Sequence, residues 1–336
     1  MSASYRRLLL ATTCLALIVV VVGAYVRLMD AGLGCPDWPG CYGEVSPAHA
    51  QAAIDKALDA QGGEHGPVSH RKAWKEMVHR YLAGTLGLAI LAVAVMAWRR
   101  RTVLARSPAL PTVLVGLVTF QAALGMWTVT LLLKPVIVTM HLLGGMATLA
   151  LLAWLTAREL RVPVPADGTR SSALRAWALG AIVLVVAQIA LGGWVSSNYA
   201  ALACVDFPTC HGQWFPQMDF RHGFQLVREL GRTADGGHLA YEALTAIHWT
   251  HRVGALVTFL YVGGVAVALI RMPGMMGYGA VLAIVLAVQV ALGVANVLVG
   301  LPLGVAVAHN GVAAVLLVSL VVINFALSQA PSSIFR

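Results

Sequence analysis

Residues 23–47, GAYVRLMDAGLGCPDWPGCYGEVSP, lie without a gap on residues 192–216, GGWVSSNYAALACVDFPTCHGQWFP. The offset is 169 throughout, and it pairs Gly23 with Gly192, Cys35 with Cys204, Asp37 with Asp206, Pro39 with Pro208, Cys41 with Cys210, Gly43 with Gly212 and Pro47 with Pro216. A likeness held at one offset over such a length marks a duplicated unit. Further pairs extend it: QAALG at 121–125 matches QVALG at 289–293, and His141 matches His309, both at 168, while the His-Arg pair at 79–80 matches 251–252 at 172.

The unit is built for lipid. Hydrophobic residues make up 59% of the chain, charged residues only 11%, and mean hydropathy is +0.79, which excludes a water-soluble fold. Uncharged apolar stretches lie near 8–26, 81–98, 107–133, 135–157, 176–203, 253–270, 272–301 and 303–330. Each approaches the roughly 20 residues that a helix needs to cross the hydrocarbon. Pro135 and Pro302 stand where adjacent spans turn. The expected fold is therefore an all-α membrane protein with eight transmembrane helices in two homologous four-helix bundles. Residues 1–160 form one half and 161–336 the other. An even number of spans returns the chain to the same side, so the halves run in one sense, related by a pseudo-two-fold axis along the membrane normal.

Basic residues cluster between alternate spans: Arg6 and Arg7, Arg99 to Arg101 with Arg106, Arg158, Arg161, Arg170 and Arg175, and Arg271. Because Lys and Arg are retained on the cytoplasmic side, both termini are expected inside and the cysteine loops outside, on the periplasmic face of a bacterial inner membrane. No small-residue cleavage site follows the first span, which is expected to be kept. The net charge of +9 reflects this asymmetry and anionic lipid, so no nucleic-acid partner is inferred.

Two outer segments, 36–75 and 204–243, carry or border four of the five cysteines. Cys35 with Cys41, and Cys204 with Cys210, are close pairs in an oxidising compartment, which favours two local disulfides. Zinc is the competing reading, although the spacing exceeds the usual two to four residues. Cys14, mid-span, reads as a small buried apolar residue. The stretches 48–60 and FQLVREL at 224–230 read as short amphipathic helices, either lids or solvated spacers.

Of the eleven histidines, His79, His141, His251 and His309 lie in or at the mouths of spans. His79 and His141 fall on the second and fourth spans, which run in the same direction, and His251 and His309 on the sixth and eighth. Each pair therefore comes to one depth near the outer ends. Two imidazoles facing each other between helices can hold a haem iron from both axial sides, whereas a bare transition ion would want further ligands. Without a Cys-x-x-Cys-His string, any haem is non-covalent. Gly84, Gly87, Gly144, Gly145, Gly254 and Gly311 near these histidines either make room for a macrocycle or allow close helix packing.

The halves differ beside these histidines. EMVHR places Glu76 one turn outward from His79, and HWTHR places His248 at the matching point. Glu76 is either a group that handles protons and charge or an interfacial carboxylate paired with Arg80 or Lys75. Arg27, Arg80 and Arg252 either pair with haem propionates or reach for headgroups.

The segment VRLMDAGLGCPDWPGCYG, the EMVHR string, the paired cysteines, the duplicated halves and the four histidines resemble the heme A synthase family over essentially the whole chain. The resemblance implies an oxidoreductase that converts heme O to heme A, oxidising the methyl group at ring position 8 to a formyl group by successive hydroxylations for use by a haem-copper oxidase. It implies that His79, His141 and the catalytic Glu76 hold the substrate haem, and that His251 and His309 ligate a heme b cofactor through which electrons leave. Cys35–Cys41 resembles the family's functional loop disulfide and Cys204–Cys210 its counterpart. Asp30 departs from the family pattern, where a small or hydroxyl residue is expected. Expected partners are heme O and heme A, membrane lipid, a heme O synthase, an electron acceptor, a haem-copper oxidase assembly factor and a second copy of the chain. Two other classes use similar topology. One is a di-haem cytochrome relaying electrons to or from quinone, and the other is a transporter with parallel repeats, for which polar groups near the midplane are expected.

Overall fold

The computed structural model describes residues 3–61, 68–104, 107–160, 162–163 and 168–329. Arg106 and Arg161, counted above among the basic residues, lie outside the described residues, as does the side chain of Arg170. The chain is helical: α1 (Ala3–Leu28), α2 (Gln51–Ala60), α3 (His70–Arg99), α4 (Arg101–Leu104), α5 (Ala109–Thr130), α6 (Pro135–Leu160), α7 (Gly168–Ser197), α8 (Phe220–Gly223), α9 (Tyr241–Ile270), α10 (Met276–Leu298) and α11 (Leu303–Ser328). Among the described residues, eight of these, all but α2, α4 and α8, are long and apolar enough to cross a membrane.

The second and sixth spans start earliest relative to their apolar runs. They begin at His70 and Tyr241, not near 81 and 253, so Glu76, His79, His248 and His251 sit within α3 and α9. The Ser69 side chain caps the first of these by accepting from the Lys72 N–H. The fifth span stops at Ser197, short of 203, because Tyr199 adopts a left-handed conformation and Ala200–Leu202 tightens into a 3-10 turn. Pro135 opens α6 and Pro302 precedes α11, positions where a missing N–H costs no helical bond.

The packing repeats from half to half. In the first, α1, α3, α5 and α6 form a ring in which each helix packs on the next and α6 returns to α1; α7, α9, α10 and α11 do the same in the second. The halves meet along α1, α6, α7 and α11, with α6 against α11. Thr13 and Thr156 share a hydrogen bond of 2.7 Å, and Trp154 meets Phe325 edge to face.

At the outer ends, residues touch their own repeat mates. Arg27 donates to the Ser196 carbonyl at 2.7 Å, and the Tyr199 hydroxyl donates to Asp30 Oδ1 at 2.7 Å, both across a separation of 169 residues. Equivalent residues meet in this way where a two-fold axis passes between them, so these contacts are consistent with the expected pseudo-symmetry. They also account for Asp30: with φ at 49° it occupies a left-handed position that aspartate tolerates, and its carboxylate takes the Tyr199 hydroxyl and Arg27.

Each cysteine pair is a disulfide, Cys35–Cys41 with S–S 2.08 Å and Cys204–Cys210 with 2.03 Å. The expected helix at 48–60 forms as α2, and its Ile54 is fully buried in a cluster with both first-loop cysteines and Met77. FQLVREL is not helical. Buried Arg228 ties that segment down through Asn198 Oδ1 and the Glu229 and Arg232 carbonyls, which leaves Leu226 and Val227 exposed. Cys14 is exposed on the outside of α1 rather than buried, because the helix turns Thr12 and Ala16 inward. Treating the unreduced, detergent-solubilised protein with N-ethylmaleimide is expected to add a single label, at Cys14, and reduction beforehand to raise this to five by intact mass. Three labels without reduction would show an open loop.

Candidate functional site

Each disulfide closes a loop of one design. Trp38–Pro39 and Phe207–Pro208 are cis, and Tyr42-Gly43 and His211-Gly212 carry positive φ at the centre of two-residue hairpins closed by Cys41 with Glu44 and Cys210 with Gln213. Two successive left-handed residues demand the glycine that both loops supply. An aspartate satisfies the exposed turn amides. Asp37 accepts from the Tyr42 and Gly43 N–H groups at 2.6 and 2.7 Å, and Asp206 accepts from His211, Gly212 and the Thr209 hydroxyl at 2.7, 2.9 and 2.6 Å.

An arginine fastens each loop to its helix. Arg80 donates to the carbonyls of Asp37 at 2.8 Å and Gly40 at 2.5 Å, and Arg252 donates to those of Cys204, Asp206 and Thr209, each at 2.8 Å. One turn before each arginine stands the residue that differs. Glu76, 4% exposed, accepts the Cys35 N–H at 2.9 Å through Oε2 and pairs with Arg80 through Oε1 at 2.5 Å. His248, 5% exposed, occupies the same place: the Cys204 N–H lies 3.3 Å from Nδ1, and Arg252 Nε donates to Nε2 at 3.2 Å. The expected pairing of Glu76 with Arg80 is thus present, and the carboxylate remains one turn from His79. Arg27 lies over the Tyr199 ring at 4.1 Å, on the line between the halves.

The four histidines fall on helices that face each other diagonally. α3 and α6 are not side-by-side neighbours in their ring, and neither are α9 and α11. His79 and His141 nevertheless lie within electrostatic reach of one another across the first bundle, as do His251 and His309 across the second. All four imidazoles are half-buried.

A glycine on the flanking helix receives each ring. A Cβ at Gly23 on α1 would lie 2.9 Å from His79 Cε1, and one at Gly125 on α5 would lie 3.4 Å from His141 Cε1. In the second half, Gly192 on α7 stands at 3.2 Å from His251 Cε1 and Gly293 on α10 at 3.0 Å from His309 Cε1. These four glycines were not singled out from the sequence, although Gly23/Gly192 and the last residue of QAALG/QVALG are repeat-matched. Of the glycines that were, Gly84 and Gly87 border open space, Gly311 packs on Val21, and Gly144 and Gly254 leave room for the amides of Gln121 and Gln188.

Those amides are the second group that sequence reading missed. Gln121 donates to the His141 carbonyl at 2.8 Å, Gln188 to His251 Nδ1 at 3.0 Å and its carbonyl at 2.9 Å, and Gln289 lies 3.3 Å from His309 Nε2. The signal for two of them was present: Gln121 and Gln289 open the repeated five-residue strings, one turn before the glycine and so on the same helix face.

Residues 6–321 match the model of the cytochrome oxidase assembly protein family. The chain belongs to that family. Among curated relatives, it is 40% identical to the heme A synthase of Shewanella oneidensis over 98% of each chain. It is 28% identical to that of Rhizorhabdus wittichii, covering 93% of this chain and 90% of the relative. It is also 28% identical to that of Halalkalibacterium halodurans, over 70% and 72% respectively. The family match spans both halves, with all four histidines and both disulfides inside it.

The Thr209 hydroxyl and the turn amides hold the exposed Asp206 carboxyl down at about 2. A carboxylate with a depressed folded-state pKa supports its loop fully above the ordinary aspartate range and loses that support as pH falls through the folded value. Exchange protection of the His211 and Gly212 amides is therefore expected to persist down to about pH 4 and to fade only toward about 2. Asp206→Asn should speed exchange at neutral pH, whereas protection lost already above pH 5 would contradict the assignment.

Proposed function

We propose that this chain is a heme A synthase, an oxidoreductase that converts heme O to heme A, and that each bundle holds one haem between its two imidazoles. The observation that supports this reading is that His79 and His141, and His251 and His309, lie within electrostatic reach across bundle diagonals, each ring against a glycine of a flanking helix. The residues fit a flat iron macrocycle. The rings are only half-buried, with space beside them that a Cβ at Gly23, Gly192 or Gly293 would crowd. Intramembrane groups left in this state are costly, and a ligand that they bind removes that cost.

On this reading His79 and His141 hold substrate heme O, while His251 and His309 hold a non-covalent heme b, which when bound supplies one-electron transfer to an external acceptor. His79 and His141 fix the substrate's height and tilt. Each oxidation of the ring methyl group releases protons. Glu76, buried one turn outward from His79, is the carboxylate placed to accept them or to stabilise positive charge, and Arg80 and the Cys35 amide hold it in position. His248 at the matching place carries no fixed negative charge, which supports chemistry in the first half and electron transfer in the second. Arg80 and Arg252 are committed to loop carbonyls and to Glu76 and His248, and Arg27 to the Ser196 carbonyl and Asp30, so each would reach a propionate only by giving up one of these bonds. The apolar tail of heme O brings the substrate in laterally from the lipid. The basic ends of the helices lie in the cytoplasm and the disulfide loops in the periplasm.

Glu76→Gln keeps an acceptor for the Cys35 N–H but removes the charge, so both haem sites should fill while formyl production falls by about 100-fold or more, the scale of a lost general base. His251→Met should alter the heme b spectrum alone. Extracted pigments separated by chromatography read both variants. Normal heme A output from Glu76→Gln would remove Glu76 from the chemistry, and heme b alone in the wild-type protein would favour a di-haem electron relay.

A further inference from the structure

The halves hold their histidines differently at one point. Gln188 lies on α7 one turn before Gly192, and its amide nitrogen stands 3.0 Å from His251 Nδ1 and 2.9 Å from the His251 carbonyl. α9 is notched to receive it, since a Cβ at Gly254 would lie 2.4 Å from Gln188 Oε1. The repeat puts Val19 at the position of Gln188 and Leu82 at that of Gly254, so the first half has neither amide nor notch. His79 Nδ1 accordingly has no partner. The other glutamines do not make up for this. Gln121 binds a backbone carbonyl and Gln289 approaches Nε2, which leaves Nδ1 of His141 and of His309 unpartnered. Among the described residues, His251 is the one of the four whose Nδ1 a side chain holds.

We propose that Gln188 is a positioning residue that locks the His251 ring and makes the second half the retentive haem site, while unlocked rings in the first half allow substrate to enter and product to leave. The proposal rests on the haem reading above. An imidazole that binds iron through Nε2 carries its proton on Nδ1. Gln188 Oε1 is buried and unpartnered, and by turning over the amide gives up the carbonyl bond and accepts that proton. A ring already held in orientation loses less freedom when it binds, and loss of such an outer partner typically weakens a metal site by on the order of 10- to 100-fold.

The test uses the purified full chain loaded with its haems. Gln188→Val, which installs the first half's residue, is expected to release heme b to excess apomyoglobin about 10- to 100-fold faster and to shift the oxidised low-spin resonance of that haem. Gln188→Glu, which keeps an acceptor for Nδ1–H, should restore slow release. Gln121→Val removes a matching amide-to-carbonyl bond without touching a ring nitrogen. It should lower the melting temperature as Gln188→Val does yet leave heme b release unchanged, which separates packing from positioning. Should Gln188→Val not assemble, Gln188→Met, closer in length, carries the same readouts. Unchanged release and an unchanged resonance in the Gln188 variants would overturn the proposal, whereas a wild-type protein without heme b would overturn the reading beneath it.

Discussion

Imidazoles placed between membrane helices set the terms for the rest of this architecture, because lipid offers nothing to hydrogen-bond with and each ring must find its partners inside the bundle. The fold answers with diagonal geometry. In each four-helix ring the two histidine-bearing helices are kept apart by flanking helices, and those flanking helices supply glycines exactly where the rings need space. Three rings keep Nδ1 without a protein partner, and Gln188 holds that of the fourth.

The outer loops depend on the same helices. An acceptor and an arginine, four residues apart on α3 and again on α9, hold a disulfide-closed hairpin over each bundle. In the first half the acceptor is Glu76, and in the second it is His248. A shared structural task thus accounts for the presence of a polar group at both places. The charge is present in only one half, and the proposed division of labour rests on that difference. Gln188 adds the opposite asymmetry, a ring lock in the half that lacks the carboxylate.

Much of this was legible in the sequence because membrane helices and repeats leave strong one-dimensional signals. The eight spans follow from apolar runs, the disulfides from paired cysteines in matched loops, and the histidine pairs from their offsets. Helix ends were less legible. Residues 70–75 and 241–243 fall in the segments read as loops, yet they open α3 and α9, whose side chains a few turns on are satisfied by bonds to the loops. FQLVREL misled for the converse reason: its amphipathic spacing was outweighed by the buried anchor Arg228, whose partners are distant in sequence or on the backbone. Gln188 carries no repeat signal at all, since its mate is Val19, and only the packing of α7 on α9 brings it to a histidine.

The central claim is that each half clasps one iron macrocycle between its own two histidines. Low-temperature electron paramagnetic resonance of the oxidised protein tests it most directly, comparing wild type with His141→Ala and His309→Ala. The account predicts two low-spin bis-imidazole signals, one abolished by each substitution while the other persists. Both signals surviving in either variant, or both vanishing together in each, would contradict it.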